Sequence, residues 1–139
     1  MPEPNRLLIA MADADWKSHV VDGVLNGPDG ATYQWTRPTA SFRLTPNDVR
    51  ALQFYMRFTL VDDSFRQTGA VTIAISINGH ELDRPRMTNS GEREYVHGVP
   101  DGWITAGRPV TIALDVEPAL ITSRGDKLGV LLHSIGFKK

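Results

Sequence analysis

Leu52, Phe54, Met56, Phe58 and Leu60 recur at every second position, with Gln53, Tyr55, Arg57 and Thr59 between them. Val71, Ile73, Ile75 and Ile77 repeat the pattern against Thr72, Ala74 and Ser76. Val110, Ile112, Leu114 and Val116 do so against Thr111, Ala113 and Asp115. A period of two predicts strands with one buried and one wetted face, as in an antiparallel sandwich or barrel. Shorter apolar or alternating runs predict further strands at 7–11, 33–36, 40–44, 81–83, 94–96 and 128–137.

The breaks between these runs carry turn chemistry. Asn78-Gly79 predicts a type I′ hairpin, because both central residues of that turn need positive φ. Gly27-Pro28-Asp29-Gly30 is a turn signal inside a long Asp- and Gly-rich stretch, and Arg37-Pro38 predicts an interrupted strand. Residues 62–69, 102–109 and 117–126 read as loops, with Pro109 at a strand start. No long helical pattern, internal repeat or linker interrupts the scheme. The expected fold is all-β: a single jelly-roll β-sandwich domain over residues 1–139, with two antiparallel sheets of eight or nine strands in all.

A chain of 139 residues can bury a core without covalent staples. With a net charge of −1 it lacks the basic surplus that nucleic-acid binding draws on. Cysteine is absent, which removes disulfides, thiolate catalysis and thiolate-ligated metals together. The apolar run 7–11 is too short for a membrane span or a secretory core, and Met1-Pro2-Glu3-Pro4 holds no basic start. The expectation is a cytoplasmic protein, or a module of a larger one, with neither nucleic acid nor membrane as partner.

The segment Gly30 to Thr36, followed by Ala40-Ser41-Phe42-Arg43-Leu44, resembles the opening of galactose-binding-like β-sandwich domains. These are the carbohydrate-binding-module-like domains found beside bacterial glycosyltransferases. The hairpin Ile75-Ser76-Ile77-Asn78-Gly79 is similar to their central hairpin. Gly125 to Val130 and Ser134-Ile135-Gly136-Phe137 are similar to their closing strand. The resemblance spans roughly residues 23–137 and implies a β-sandwich that binds glycan without transforming it. Ligand-binding residues in that family lie in variable loops, so none transfers by position, and fold analogy alone does not confer sugar binding.

The residues themselves point to no catalytic constellation. His19, His80, His97 and His133 have no metal-ligand spacing, no Gly-x-Ser-x-Gly elbow is present, and nothing marks two carboxylates such as Asp115 and Glu117 as a glycosidase pair. No catalytic residue, metal ligand or cofactor is assigned. Asp62-Asp63, with Asp13 and Asp15, offers oxygen ligands of the kind a structural calcium would take. Sugar recognition calls for aromatic faces, which pack against pyranose C–H groups, beside polar groups for the hydroxyls. Trp103 and Trp16 lie in expected loops, where an exposed ring reports a site, whereas Trp35 is expected in the core. The outward stripe Gln53, Tyr55 and Arg57 offers a second platform. The expected function is a non-catalytic, carbohydrate-binding module in a glycan-related pathway. The alternative is a structural or protein-interaction sandwich without a sugar ligand, burying a face against an adjacent domain or a second copy.

Overall fold

A computed structural model of the chain describes residues 7–13, 15–25 and 31–138. The elements in chain order are β1 (Leu8–Ala10), a 3₁₀ turn (Trp16–His19), β2 (Val20–Val24), β3 (Gln34–Leu44), β4 (Gln53–Leu60), α1 (Asp62–Thr68) and β5 (Val71–Ile77). They continue as β6 (His80–Asp83), β7 (Arg86–Met87), β8 (Gly91–Gly98), β9 (Val110–Glu117), β10 (Leu120–Ile121), β11 (Lys127–Leu128) and β12 (Leu131–Lys138). No helix among the described residues is long and apolar enough to cross a membrane.

The three strongly alternating runs form β4, β5 and β9 with the expected side inward. Most strands join one hydrogen-bonded ribbon in the order β6-β5-β9-β3-β12-β4-β8. It folds over at β3, whose first residues pair with β12 and whose later residues, Thr39 to Leu44, pair with β9. The result is a front sheet of β1, β12, β4 and β8 and a back sheet of β2, β3, β9, β5, β6 and β7. Beyond β3 the long strands alternate between the sheets: β4 front, β5 back, β8 front, β9 back, β12 front. That crossing pattern is what makes the sandwich a jelly roll.

The inner faces share one core, in which Phe42, Phe54, Phe58, Phe137, Ile73, Ile75 and Ile112 are fully buried. Each such side chain contributes roughly 1.5–3 kcal/mol by leaving water. At the open edge, opposite the fold at β3, the Tyr95 hydroxyl of β8 donates to the Asp83 carboxylate of β6. This bond holds Asp83 below the usual carboxylate range, while burial, and then the bond, push the Tyr95 phenol up.

The Asn78–Gly79 hairpin forms as expected, with φ of 51° and 84° at its two central residues. Elsewhere the structure corrects the pattern. β3 runs unbroken through Arg37-Pro38, because Pro38 lies between the ladder to β12 and the ladder to β9, where its missing N–H costs neither a bond. Within the stretch read as loop, residues 16–24 form the 3₁₀ turn and β2. β2 is disguised by Gly23, where φ is 89° and an added Cβ would stand 2.2 Å from the Thr39 carbonyl. Residues 62–68 form α1 rather than a loop, anchored by half-buried Phe65 against the core and ended by Gly69 at φ 71°. β8 is longer than expected, and β12 starts later because Gly129 and Val130 bond Thr36 instead of extending the strand. The short pairs β1–β12, β5–β7 and β10–β11 raise the number of strands above nine. The turn signal at 27–30 lies outside the described residues.

Candidate functional site

Strand register builds the outer face of the front sheet row by row. Leu8, Gly136, Tyr55 and Val96 lie side by side across β1, β12, β4 and β8. The next row holds Ala10, Ser134, Arg57 and Glu94, and the one beyond it Trp35, Leu131, Thr59 and Glu92. On the other side of the Tyr55 row, Lys138, Gln53 and Gly98 form the end of the face. Leu8 and Val96 are 38% and 39% exposed, so an apolar bar with Tyr55 at its centre crosses a charged field.

A bulge in β12 between Leu132 and Ser134 adds His133 to this face. Its ring meets Tyr33 edge-on at 5.3 Å, and its Nδ1 lies 3.0 Å from the Ser134 hydroxyl. Ser134 hydrogen-bonds the Tyr55 phenol, and the Lys138 ammonium sits 5.3 Å from the Tyr55 ring centre. Arg57 donates to Glu92, which also accepts from the Tyr33 hydroxyl. These contacts link Tyr55, Ser134, His133, Tyr33, Glu92 and Arg57 into one aromatic and polar network.

The network sets its own charges. The hydrogen bond from Arg57 holds the Glu92 carboxyl below its usual range and raises the Arg57 guanidinium in turn. Burial lowers His133, with Arg57 adding to the effect, so the imidazole is neutral at pH 7. Burial, followed by the charge of Glu94, raises the Tyr55 phenol, which therefore keeps its proton and its capacity to donate. The Ser134–His133 contact is no nucleophile pair: Ser134 is only 3% exposed, and its hydroxyl is shared with Tyr55.

Of the residues singled out from sequence, Tyr55, Arg57 and Gln53 are brought together here. Trp103 lies elsewhere, half-exposed in the loop between β8 and β9, beside His80 and tied to the β5–β6 hairpin. Trp16 belongs to the core at 3% exposure, with its edge lining a shallow cleft beside Lys17, Val20 and Val24. A ring so enclosed offers no stacking face, which corrects the expectation for Trp16. Trp35 is corrected the other way: Gln34 and Thr36 point inward and Trp35 outward, half-exposed. Continuing the alternation of Ala40, Phe42 and Leu44 backward through the proline would have placed it so. Tyr33, Glu92, His133 and Ser134 went unrecognised, since only the pairing of β8 and β12 with β4, and of β3 with β12, assembles them.

The carboxylates considered for calcium have these local contacts. Asp13 accepts from the Ala10 amide, Asp15 stands 3.6 Å from His19, and Asp62 accepts from Ser90, while the Asp63 side chain lies outside the described ones. Among the described residues, no three histidine, aspartate or glutamate side chains converge as a metal site would require.

No family model matches the chain, and no curated protein matches it in sequence. Solved structures match it in fold. A family 35 carbohydrate-binding module from an environmental isolate superimposes with a TM-score of 0.63 at 16% identity, over 96% of this chain and 93% of that one. The CBM36-1 domain of a multidomain xylanase from the hindgut metagenome of Trinervitermes trinervoides gives 0.52 at 14% identity, covering 95% of each chain. A family 35 module from Clostridium thermocellum gives 0.52 at 10% identity, over 94% of this chain and 96% of the module. The fold is that of carbohydrate-binding modules. At such identities the likeness is one of architecture, so any ligand site must be argued from this chain's own residues.

Proposed function

We propose that this chain is a non-catalytic carbohydrate-binding module, serving a glycan-related pathway, that takes its ligand on the outer face of the front sheet. The observation that carries this reading is the gathering of Tyr33, Tyr55 and His133 with Arg57, Glu92 and Lys138 on one wetted face. The carbohydrate-binding-module fold supports it. A pyranose presents apolar C–H groups on one side and hydroxyls around its rim. The bar of Leu8, Tyr55 and Val96 suits the former, and the neutral imidazole, the guanidinium and the carboxylates suit the latter. Affinity is modest, since each sugar hydroxyl trades bonds with water for bonds with protein at little net gain.

The exposed bar also favours a second reading, a protein interface. Interface centres are depleted in charge, however, and Tyr55 has Lys138 over its ring and the charges of Glu94, Arg57 and Glu92 around it. Electrophoresis through gels cast with soluble xylan, galactan, glucomannan or pectin tests the choice. At least one polysaccharide retards the native chain, and Tyr55→Ala lessens the retardation while leaving the melting temperature within a few degrees. Retardation by none of them, together with concentration-dependent dimers in sedimentation, would establish the interface instead.

A further inference from the structure

The loop between β8 and β9 has no regular structure, yet it is tied down along its length. The Val99 amide donates to the Leu52 carbonyl at 3.1 Å, Gly107 to Pro46 at 2.8 Å, and Arg108 to Thr105 at 3.1 Å. Ile104, only 7% exposed, anchors the middle. Asn78, at the hairpin tip, donates through Nδ2 to the Trp103 carbonyl and accepts through Oδ1 from the Thr111 amide, both at 3.0 Å. So secured, the loop holds Trp103 partly buried against the core and partly exposed, with the His80 ring 5.3 Å away and tilted by 37°.

A ring fixed in place but left partly exposed is pre-organised for a ligand, because little ordering entropy remains to be lost on binding. The surroundings decide the kind of ligand. Gly79, His80, Glu81, Asp101, Gly102, Thr105 and Arg108 are all exposed around this end of the sandwich. An isolated aromatic pair amid polar side chains is too small and too charged at its border for the centre of a protein interface. It matches one amphipathic ring.

We infer that Trp103 and His80 form a second pyranose-binding site, at the hairpin end of the back sheet, which makes the module bivalent. Asn78 is its positioning residue, acting on the ligand only through the loop it holds. This site shares a ligand class with the front face but none of its residues.

The test titrates the intact ¹⁵N-labelled chain with oligosaccharides cut from xylan, galactan, glucomannan and pectin. The chain has three tryptophans, hence three indole N–H resonances. The Trp103 resonance shifts on binding while that of enclosed Trp16 holds still, and calorimetry counts two sites per chain. Trp103→Ala and Arg57→Ala each leave one site, and the double variant leaves none. Asn78→Asp retains the turn and the acceptor for Thr111 but loses the donor to Trp103, and it weakens the loop site about tenfold without touching the Arg57 site. This variant and the wild-type spectrum decide the matter even if Trp103→Ala fails to fold. A single site abolished by Arg57→Ala, with the Trp103 resonance unmoved at saturation, overturns the second site and leaves the front face standing. A single site that survives Arg57→Ala and shifts Trp103 does the reverse. Binding of none of the four families overturns both.

Discussion

On the front sheet the positions that alternate with the core carry Gln53, Tyr55, Arg57 and Thr59, flanked by Glu92, Glu94 and Val96 on β8. On the back sheet the corresponding positions carry Thr72, Ala74 and Ser76, flanked by Thr111, Ala113 and Asp115 on β9 and by Thr39, Ser41 and Arg43 on β3. Both sets sit on the same pleat, at the same period, above the same core. Along β5, β9 and β3 the back face carries mostly small hydroxylated and methyl groups, with Asp115 between β5 and β3 and a cleft lined by Thr72, Arg84, Glu117 and Pro118 at one end. The front face lifts rings and charged heads out of the sheet and cross-links them. Periodicity therefore says which residues face water, and side-chain chemistry at those positions says how the two wet faces differ.

If the sheets differ only outside, their inner sides should respond alike. Phe58→Ala behind the front face should cost about 3–5 kcal/mol and Ile75→Ala behind the back face about 2–5 kcal/mol, each by leaving a cavity. Urea unfolding measures both, and a back sheet that barely responds would break the equivalence.

Thr36 sits where β3 passes from one sheet to the other. It is fully buried and its hydroxyl accepts from the Val130 amide at 3.0 Å. Thr36→Val preserves shape but strands that amide, and should cost about 1–3 kcal/mol in the same unfolding experiment.

The outer faces should then part company. Arg57→Ala should weaken polysaccharide retardation tenfold or more at the front site, about 1.4 kcal/mol, while Ser76→Ala on the back face changes nothing. Equal effects from the two variants would refute the contrast.

The smallest effect is one of pH. His133 is lowered from 6.5 in the folded chain, chiefly by burial and then by Arg57, so the unfolded chain takes up this proton first. Its contribution to stability is complete above pH 6.5 and declines as pH falls below that value toward the folded pKa. Unfolding at pH 7.5 and 5.5 should show a smaller loss for His133→Gln than for the native chain. The back face has no histidine among the positions named above, so Thr72→Ala should leave the native pH dependence intact.

The alternating runs by themselves determined β4, β5 and β9, the side each buries, the all-β class and the tight hairpin at Asn78-Gly79. They could do so because a period of two and a positive-φ dipeptide are local properties, readable within a few residues. They also placed Tyr55, Arg57 and Gln53 on one wet face. What they could not place depends on partners remote in sequence. Glu92 meets Arg57 only because β8 pairs with β4, and His133 joins them only because a bulge turns it outward. Trp16 is enclosed by elements that its own neighbourhood does not announce, whereas Trp35 faces outward because the phase of β3 continues through Pro38. The tertiary structure alone decided these, since burial and cross-strand contact are set by pairing register and sheet closure, and neither is written in any single stretch of chain.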